Sequence, residues 1–182
     1  MKFVFASDIH GSAEDAQTVK EIFVKEQADK LILCGDLLYH GPRNDLPKDY
    51  NPKKVIEILN SVSDDIIAVR GNCDSEVDQM VLNFPIMADY ALIYDKNARM
   101  NITHGHIYNI DNPIKLKEGD VLICGHTHVL SAKQRNKIHH INPGSAALPK
   151  NGNPKSYMVY DNNQFVIRTL DDKEIIRYSI SF

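Results

Sequence analysis

The sequence predicts an α/β protein in which two packed β-sheets carry helices on their outer faces. One observation is that apolar runs with strand and helix periodicity alternate as β-α-β-α-β up to about residue 69. Another is that short strand candidates separated by turn residues fill the chain from about residue 90 onward. The length of 182 residues, with 43% hydrophobic and 25% charged residues, is typical of one globular domain.

The first part of the chain is predicted to form parallel strands joined by helices. Buried strands are expected at residues 2–7, 31–34 and 66–69. Ser12, with Asp15 three residues later, is typical of a helix N-cap. Asn51 and Pro52 are an N-cap and a first-turn proline at the start of a second helix, and Ser75 with Asp78 is a third capping pair. Right-handed crossovers would place these strands side by side in one sheet.

The second part is predicted to be mostly strands. The candidates are residues 90–94, 100–103, 121–124, 137–141, 157–160, 165–170 and 174–179. The segments "DKN", "RNK" and "DNNQ" separate several of them, as hairpin turns do. Because the sequence contains no repeat, linker or low-complexity segment, we expect one domain over residues 1–182.

The bulk properties disfavour several classes of protein. A net charge of −3 gives no basic excess for strong nucleic-acid binding. The apolar run of the opening "MKFVFASD" ends at Asp8, too early for a signal peptide, and no later run has the length of a membrane helix. The cysteines Cys34, Cys73 and Cys124 show no C-x-x-C spacing, so we expect free thiols and a cytoplasmic location.

Polar residues follow five of the predicted strands. They are Asp8-Ile9-His10, Gly35-Asp36, Gly71-Asn72-Cys73-Asp74, His104-Gly105-His106 and Gly125-His126-Thr127-His128. Each group alone has a structural interpretation: carboxylates and asparagine are common in turns, and loop histidines can be merely exposed. Together they predict a divalent cation site, because loops at the carboxyl ends of strands meet at one edge of an α/β sheet.

This order of motifs resembles the calcineurin-like metallophosphoesterases. More narrowly, the chain resembles the small single-domain bacterial phosphodiesterases of the YfcE type. The resemblance covers nearly the whole length and includes "YHGPRN" at 39–44, "RGNCDSEVDQM" at 70–80 and "NPGS" at 142–145. It implies a four-layer αββα sandwich of two mixed sheets flanked by helices.

The resemblance also implies a dinuclear centre and its ligands. Asp8, His10 and His128 would hold one metal, and Asn72, His104 and His126 the other, with Asp36 as a bridge that can place one oxygen on each ion. Manganese is favoured, and zinc, iron, cobalt or nickel also suit mixed nitrogen and oxygen ligands. The residues with implied catalytic roles are Asn72, Cys73, Asp74, His104 and His106, and those implied to bind substrate are Arg43 and Asn72.

The expected activity is phosphodiester hydrolysis, by in-line attack of a metal-bridging hydroxide on phosphorus. Many family members carry histidine where this chain has Cys73, a poor acid near neutral pH, so His106 or a metal-bound water would have to protonate the leaving group. Arg43 fits phosphate but could equally be a solvated loop residue.

Three alternatives to this activity remain open. They are a phosphomonoesterase or nucleotidase on the same metals, a non-catalytic protein-binding scaffold, and a purely structural metal site. Structural zinc sites are usually closed and rich in cysteine, which disfavours the last alternative. The expected partner is a small phosphodiester, without a membrane, and the apolar C-terminal hairpin could pair chains into a homo-oligomer.

Overall fold

The computed structural model describes residues 1–181, so the last residue of the predicted domain, Phe182, lies outside the described residues. Three α-helices and eleven strands follow one another along the chain. They are β1 Lys2–Ala6, α1 Ala13–Lys25, β2 Lys30–Leu33, α2 Pro52–Asn60, β3 Ile66–Ala68, α3 Glu76–Gln79, β4 Tyr90–Asp95, β5 Ala98–Thr103, β6 Val121–Cys124, β7 Ser131–Arg135, β8 Ile138–Asn142, β9 Ser156–Asp161, β10 Gln164–Thr169 and β11 Glu174–Ser179. Within residues 1–181, none of the helices combines the length and apolar character needed to cross a membrane.

The strands form two mixed sheets, which confirms the predicted architecture. The first sheet has the order β11-β10-β9-β1-β2-β3, and the second has the order β4-β5-β6-β8-β7. Strands β1, β2 and β3 are parallel, as are β5, β6 and β8, whereas the remaining pairs are antiparallel. Five of these parallel strands, β1, β2, β3, β5 and β6, lead at their carboxyl ends into the loops that carry the predicted ligands.

The helices begin where the sequence places their caps. The Ser12 side chain accepts a hydrogen bond from the Asp15 backbone N–H at the start of α1. Ser75 and Asp78 form a reciprocal capping box on α3. Each such cap satisfies a backbone donor that the first helical turn would otherwise leave unpaired.

The period-two alternation of β1 divides the core into two parts. Phe5 points between the sheets, where it joins a buried cluster with Ile102 and Ile123 of the second sheet. Val4 points to the opposite face and packs beneath α1 and α2 in a second cluster. The strands are therefore buried on both faces, which fixes their register and holds the strand ends in place.

The outer face of the second sheet differs from the expected layer of helices. Leu122, Cys124 and Ile138 on this face are covered by Ile110 and Leu116 of the irregular connection 104–120. That connection, "HGHIYNIDNPIKLKEGD", contains a proline, a turn glycine and several asparagine and aspartate residues, which disfavour a helix. Helices α1 and α2 pack on the first sheet as predicted.

Strand β7 is absent from the sequence-based prediction. Its residues, "SAKQR", are polar and mostly exposed, because β7 is the edge strand of the second sheet. An edge strand of this kind lacks the apolar alternation on which the prediction depends. The other strands lie within about two residues of their predicted positions.

Candidate metal centre

The loops after β1, β2, β3, β5 and β6 converge at one edge of the sandwich. Ligating atoms of Asp8, His10 and His128 lie within 4.8 Å of one another, and those of Asp8, Asp36 and His104 form a second such group. All five side chains are buried. The structure thus brings together most of the residues that the sequence singles out.

Several of these residues adopt a left-handed backbone, which is uncommon outside glycine. The φ angles are 55° for Asp8, 47° for His10, 56° for Asp36, 65° for His126 and 59° for His128. Such conformations cost about 1 kcal/mol or more each, and they persist where the surrounding structure imposes them, often at functional sites. These strained turns direct the polar side chains into the site, and the surrounding structure offsets the cost of the backbone conformation.

Two glycines allow the loops to approach this closely. A Cβ atom on Gly71 would collide with the carboxylate and backbone N of Asp36, and one on Gly125 would collide with the Ser7 hydroxyl. Alanine at either position would therefore push a candidate ligand out of place.

The Asp8 carboxylate has one anchored oxygen and one oxygen without a partner. Its Oδ2 accepts hydrogen bonds from the Ser7 hydroxyl at 2.6 Å and from the His126 backbone N–H at 3.0 Å. Its Oδ1 is buried without a hydrogen-bond partner and lies 3.2 Å from His128 Nε2 and 3.7 Å from His10 Nε2. A buried carboxylate oxygen left bare among imidazole nitrogens is the donor arrangement that a bound cation requires.

Asp36 lies between His10 of the first group and His104 of the second. Its Oδ2 is 3.6 Å from His10 Nε2 and 3.4 Å from His104 Nε2, whereas its Oδ1 accepts a 2.8 Å hydrogen bond from the Cys73 backbone N–H. The expected bridge placed one oxygen on each metal. In this geometry a single oxygen, Oδ2, faces both groups.

Two further predicted ligands, Asn72 and His126, lie beside His104. His104 Nε2 lies 3.2 Å from Asn72 Oδ1, so the two atoms point at a common place. The His126 ring packs against the His104 ring with centroids 5.0 Å apart. Among the residues that the structure describes, His126 adds no nitrogen to the clustered ligating atoms.

Backbone carbonyls fix the orientation of three imidazoles. The Nδ1 atoms donate to carbonyl oxygens in three pairs: His10 to Tyr39 at 2.8 Å, His104 to Cys34 at 2.7 Å and His128 to Leu148 at 2.5 Å. Because Nδ1 carries the proton in each pair, the lone pair of a neutral ring is on Nε2, directed into the site. Metal-bound histidines are commonly held in this way.

The buried carboxylates of the site favour positive charge beside them. Burial opposes the charged form of His104, but its hydrogen bond to Asp36 and the nearby Asp8 carboxylate prevail and raise the pKa of His104 to about 9. Burial likewise opposes ionisation of Asp8, yet the nearby imidazoles of His10 and His128 lower its pKa well below the usual range. Divalent cations would replace those imidazole protons and satisfy the same carboxylates.

The remaining predicted catalytic residues have distinct surroundings. The thiol of Cys73 is half-buried, and burial together with the Asp36 carboxylate raises its pKa to about 12. The His106 ring lies edge-on to the His104 ring, with centroids 5.3 Å apart. The buried Asp74 carboxylate accepts backbone hydrogen bonds from Asp36 and Leu37, each at 2.8 Å, which indicates that it positions the loop.

An open cleft of about 680 Å³ lies above these groups, and Arg43 is in its wall. Lys150 lines the same cleft and is absent from the sequence-based prediction. Its backbone N–H donates to the His128 carbonyl at 3.1 Å, which ties its loop to a candidate ligand. No motif marks a lone lysine 22 residues after His128, so its position could be found only in three dimensions.

The segment "NPGS" proves to support the site from behind. The Ser145 hydroxyl donates to the Asp8 carbonyl at 2.8 Å, and the Asn142 amide donates to the Gly125 carbonyl at 2.8 Å. These bonds hold two of the ligand-bearing turns together. The sequence marks the segment through its family resemblance but gives no sign of these partners.

Comparison with known proteins agrees with this geometry. Residues 1–164 match the model of the calcineurin-like phosphoesterase superfamily domain. The chain is 50% identical over 176 residues to Phosphodiesterase YfcE of Escherichia coli K12, covering 97% of this chain and 96% of that protein. The solved structure of YfcE, described as a phosphoesterase from E. coli, superposes with a TM-score of 0.97 at 48% identity, over the whole of both chains.

A more distant structure shares the fold alone. Vps29 from Entamoeba histolytica has a TM-score of 0.67 at 21% identity, over 100% of this chain and 99% of that one. The family match and the similarity to YfcE over nearly the full length are much stronger. This chain therefore belongs to the calcineurin-like phosphoesterase superfamily, and membership implies a phosphoesterase hydrolase that binds divalent metal.

Proposed function

We propose that this protein is a phosphodiesterase that works with two divalent metal ions. The observation that carries the proposal is the bare, buried Asp8 Oδ1 among converging imidazole nitrogens. The name of the 50% identical relative, Phosphodiesterase YfcE, supports the diester specificity. Family membership supports metal binding, and a pair of ions is proposed from the overlapping groups of ligating atoms that meet at Asp8, His10 and Asp36.

The first group supplies one ligand set directly, and the family resemblance extends the other set from His104 to Asn72 and His126. One ion would be held by Asp8, His10 and His128, the other by Asn72, His104 and His126, with Asp36 shared between them. The groups contain imidazole, carboxylate and amide donors, which suit first-row divalent ions, and manganese is the ion we favour. His126 is assigned to the second set because its ring packs beside His104, with centroids 5.0 Å apart, and lines the cleft.

Two bound divalent ions supply an activated nucleophile and neutralise charge on the phosphoryl group. The chain supplies the rest of the site. Arg43 and Lys150, both in the cleft wall, would bind the phosphate oxygens. With its oxygen on a metal and one N–H directed at Cys73 Sγ, Asn72 would keep its second N–H to donate to the substrate.

The leaving group would depart with little help from an acid. The Cys73 thiol, with a pKa of about 12, is a weak proton donor. The His106 ring lies edge-on to His104 but lines a neighbouring cavity, and burial lowers its pKa, so it is also a poor proton donor here. This arrangement favours diesters with an aryl or otherwise acidic leaving group over simple alkyl diesters.

A phosphomonoesterase or nucleotidase on the same centre is the second candidate. Arg43 and Lys150 would together suit a dianionic monoester as well as a monoanionic diester. The scaffold alternative is disfavoured because all seven ligand positions hold ligating residue types.

Two further features of the expected biology are also proposals. The three cysteines are free thiols, which supports a reducing compartment such as the cytoplasm. The partner is proposed to be a small phosphodiester. Pairing of chains through the C-terminal hairpin stays a prediction.

Turnover of matched substrates tests the proposal. Manganese-loaded protein should hydrolyse bis(p-nitrophenyl) phosphate with a higher kcat/KM than p-nitrophenyl phosphate. Asp36→Asn should abolish this turnover, whereas the control Asp64→Asn, at an exposed position, should retain it. A preference for the monoester would favour the second candidate, and no turnover with manganese, zinc, cobalt or nickel would contradict both.

A further inference from the structure

We propose that an apolar pocket beside the metal cleft binds the apolar or aromatic organic group of the phosphodiester. This inference rests on the proposed function and adds a substrate class to it. The pocket has a volume of about 500 Å³, and its wall includes Ile56, Val77 and Val81. It would select diesters that carry at least one aromatic or branched apolar ester group.

The pocket adjoins the metal cleft. Tyr39, Cys73 and Ser75 line both cavities. A phosphate held in the cleft can therefore extend one ester group directly into the pocket. These three shared residues form the boundary between the charged cleft and the apolar pocket.

The shared wall is fixed to the candidate ligands. The carbonyl of Tyr39 accepts the 2.8 Å hydrogen bond from His10 Nδ1. The backbone N–H of Cys73 donates to Asp36 Oδ1 at 2.8 Å. Because each residue is bonded to a ligand side chain, the pocket keeps a defined position relative to the phosphate, as a specificity subsite must.

The pocket offers apolar surface with little free polarity. Val77 is 68% exposed and Val81 is 43% exposed, so both present methyl groups to solvent. The only charged residue in the wall is Asp78, whose Oδ2 already accepts hydrogen bonds from the backbone N–H and hydroxyl of Ser75. The Cys73 sulfur, which is also in the wall, already accepts a hydrogen bond from the Asn72 side-chain amide.

This lining disfavours a second phosphate or a sugar as the occupant. A second anion would need a cation, and the described wall contains no lysine, arginine or histidine. The cations Arg43 and Lys150 line the neighbouring cleft instead. An aromatic ring would gain from removal of its surface and that of Val77 and Val81 from water.

Binding of two phosphonates to the manganese-loaded protein tests the inference. Phenylphosphonate and methylphosphonate share the anionic group and differ in the organic group, and calorimetry reports each Kd without turnover. Phenylphosphonate should bind about tenfold more tightly, because only its ring can enter the pocket. Because both ligands present the same phosphonate to the metals, the ratio of the two Kd values measures the contribution of the pocket alone.

Variants of the pocket wall complete the test. Val77→Asn and Val81→Asn should each lower that ratio by roughly threefold or more, since each places a polar amide against the ring. The Kd of methylphosphonate should stay unchanged. The matched control is Val24→Asn, because Val24 is 59% exposed on α1 and should leave both Kd values unchanged.

The inference and the proposed function fail in different ways. If phenylphosphonate binds no better than methylphosphonate, or if neither wall variant changes the ratio, the pocket does not hold the organic group. Hydrolysis of bis(p-nitrophenyl) phosphate by the same preparation would then show that the proposed function stands. Absence of that hydrolysis would contradict the proposed function itself.

Discussion

The role of Asp74 can be tested by replacing its carboxylate with an amide of nearly equal size. Asp74 Oδ2 accepts from the backbone N–H groups of Asp36 at 2.8 Å and Gly71 at 2.7 Å, and Oδ1 accepts from Leu37 at 2.8 Å. In Asp74→Asn, the single oxygen can serve one side only, so an NH₂ group must face at least one of these donors. The sequence interpretation assigned Asp74 to catalysis, whereas these bonds indicate that it positions Asp36.

The expected loss of stability follows from this geometry. Loss of one hydrogen bond to a charged, buried acceptor lowers the free energy of unfolding by about 2 to 3 kcal/mol. The control is Asp78→Asn, because the Asp78 oxygen that accepts from Ser75 can be kept by an asparagine oxygen. That control should lose only about 0.5 kcal/mol, the contribution of a carboxylate charge near a helix N-terminus.

Urea unfolding of metal-free protein measures these differences without the contribution of bound ions. Metal titration of the same variants should show that Asp74→Asn weakens metal binding about 10- to 100-fold, as loss of a supporting hydrogen bond does. The positioning role would be refuted if Asp74→Asn unfolded like the wild type and kept both metals while its kcat fell more than a hundredfold. Asp74 would then act in the chemistry itself.

The ligands, the cleft cations and the Cys73 thiol give three further predictions. Asp36→Asn should lower the content of both metals in elemental analysis, because Asp36 Oδ2 faces both His10 and His104. His10→Ala should deplete mainly one metal. Equal depletion by the two variants would argue against a bridging role of Asp36. Arg43→Ala should raise KM for bis(p-nitrophenyl) phosphate with metal content unchanged, since it would remove substrate binding alone; unaltered kinetics with several diesters would make Arg43 an ordinary surface residue. Cys73→Ala should lower kcat less than about tenfold, which corresponds to about 1.4 kcal/mol of transition-state stabilisation. In the wild type, kcat should fall steeply as the leaving-group pKa rises. Cys73→His should make this dependence less steep. A thousandfold loss in Cys73→Ala with both metals retained would instead show that the thiol takes a direct part.

Much of the fold is readable from the sequence because its strands are apolar and its helices carry caps. β6, for example, is the uninterrupted apolar run Val121–Cys124, and its predicted limits match the structure. β7 could not be read because its polar, exposed residues form a strand only by pairing with β8. The irregular layer over the second sheet depends on long-range packing of Ile110 and Leu116, which local patterns do not encode.

The candidate site likewise contains residues that the sequence predicts and residues that it does not predict. Residues that directly follow apolar strands, such as Asp8 and His104, could be found because the topology of parallel strands brings their ends together. Lys150 and Ser145 could not, since they act through single contacts made by loops distant in sequence. The hydrogen bonds from the imidazoles to backbone carbonyls could not be predicted either, because every residue has a backbone carbonyl and no residue type marks the one that accepts.

The most direct test of the central claim is anomalous scattering from crystals of the manganese-loaded protein, measured at the manganese edge and combined with elemental analysis. We predict two ions per chain, one beside Asp8, His10 and His128 and the other beside Asn72, His104 and His126, with Asp36 contacting both. One ion per chain, or two ions away from these side chains, would contradict the dinuclear centre on which the proposed function depends.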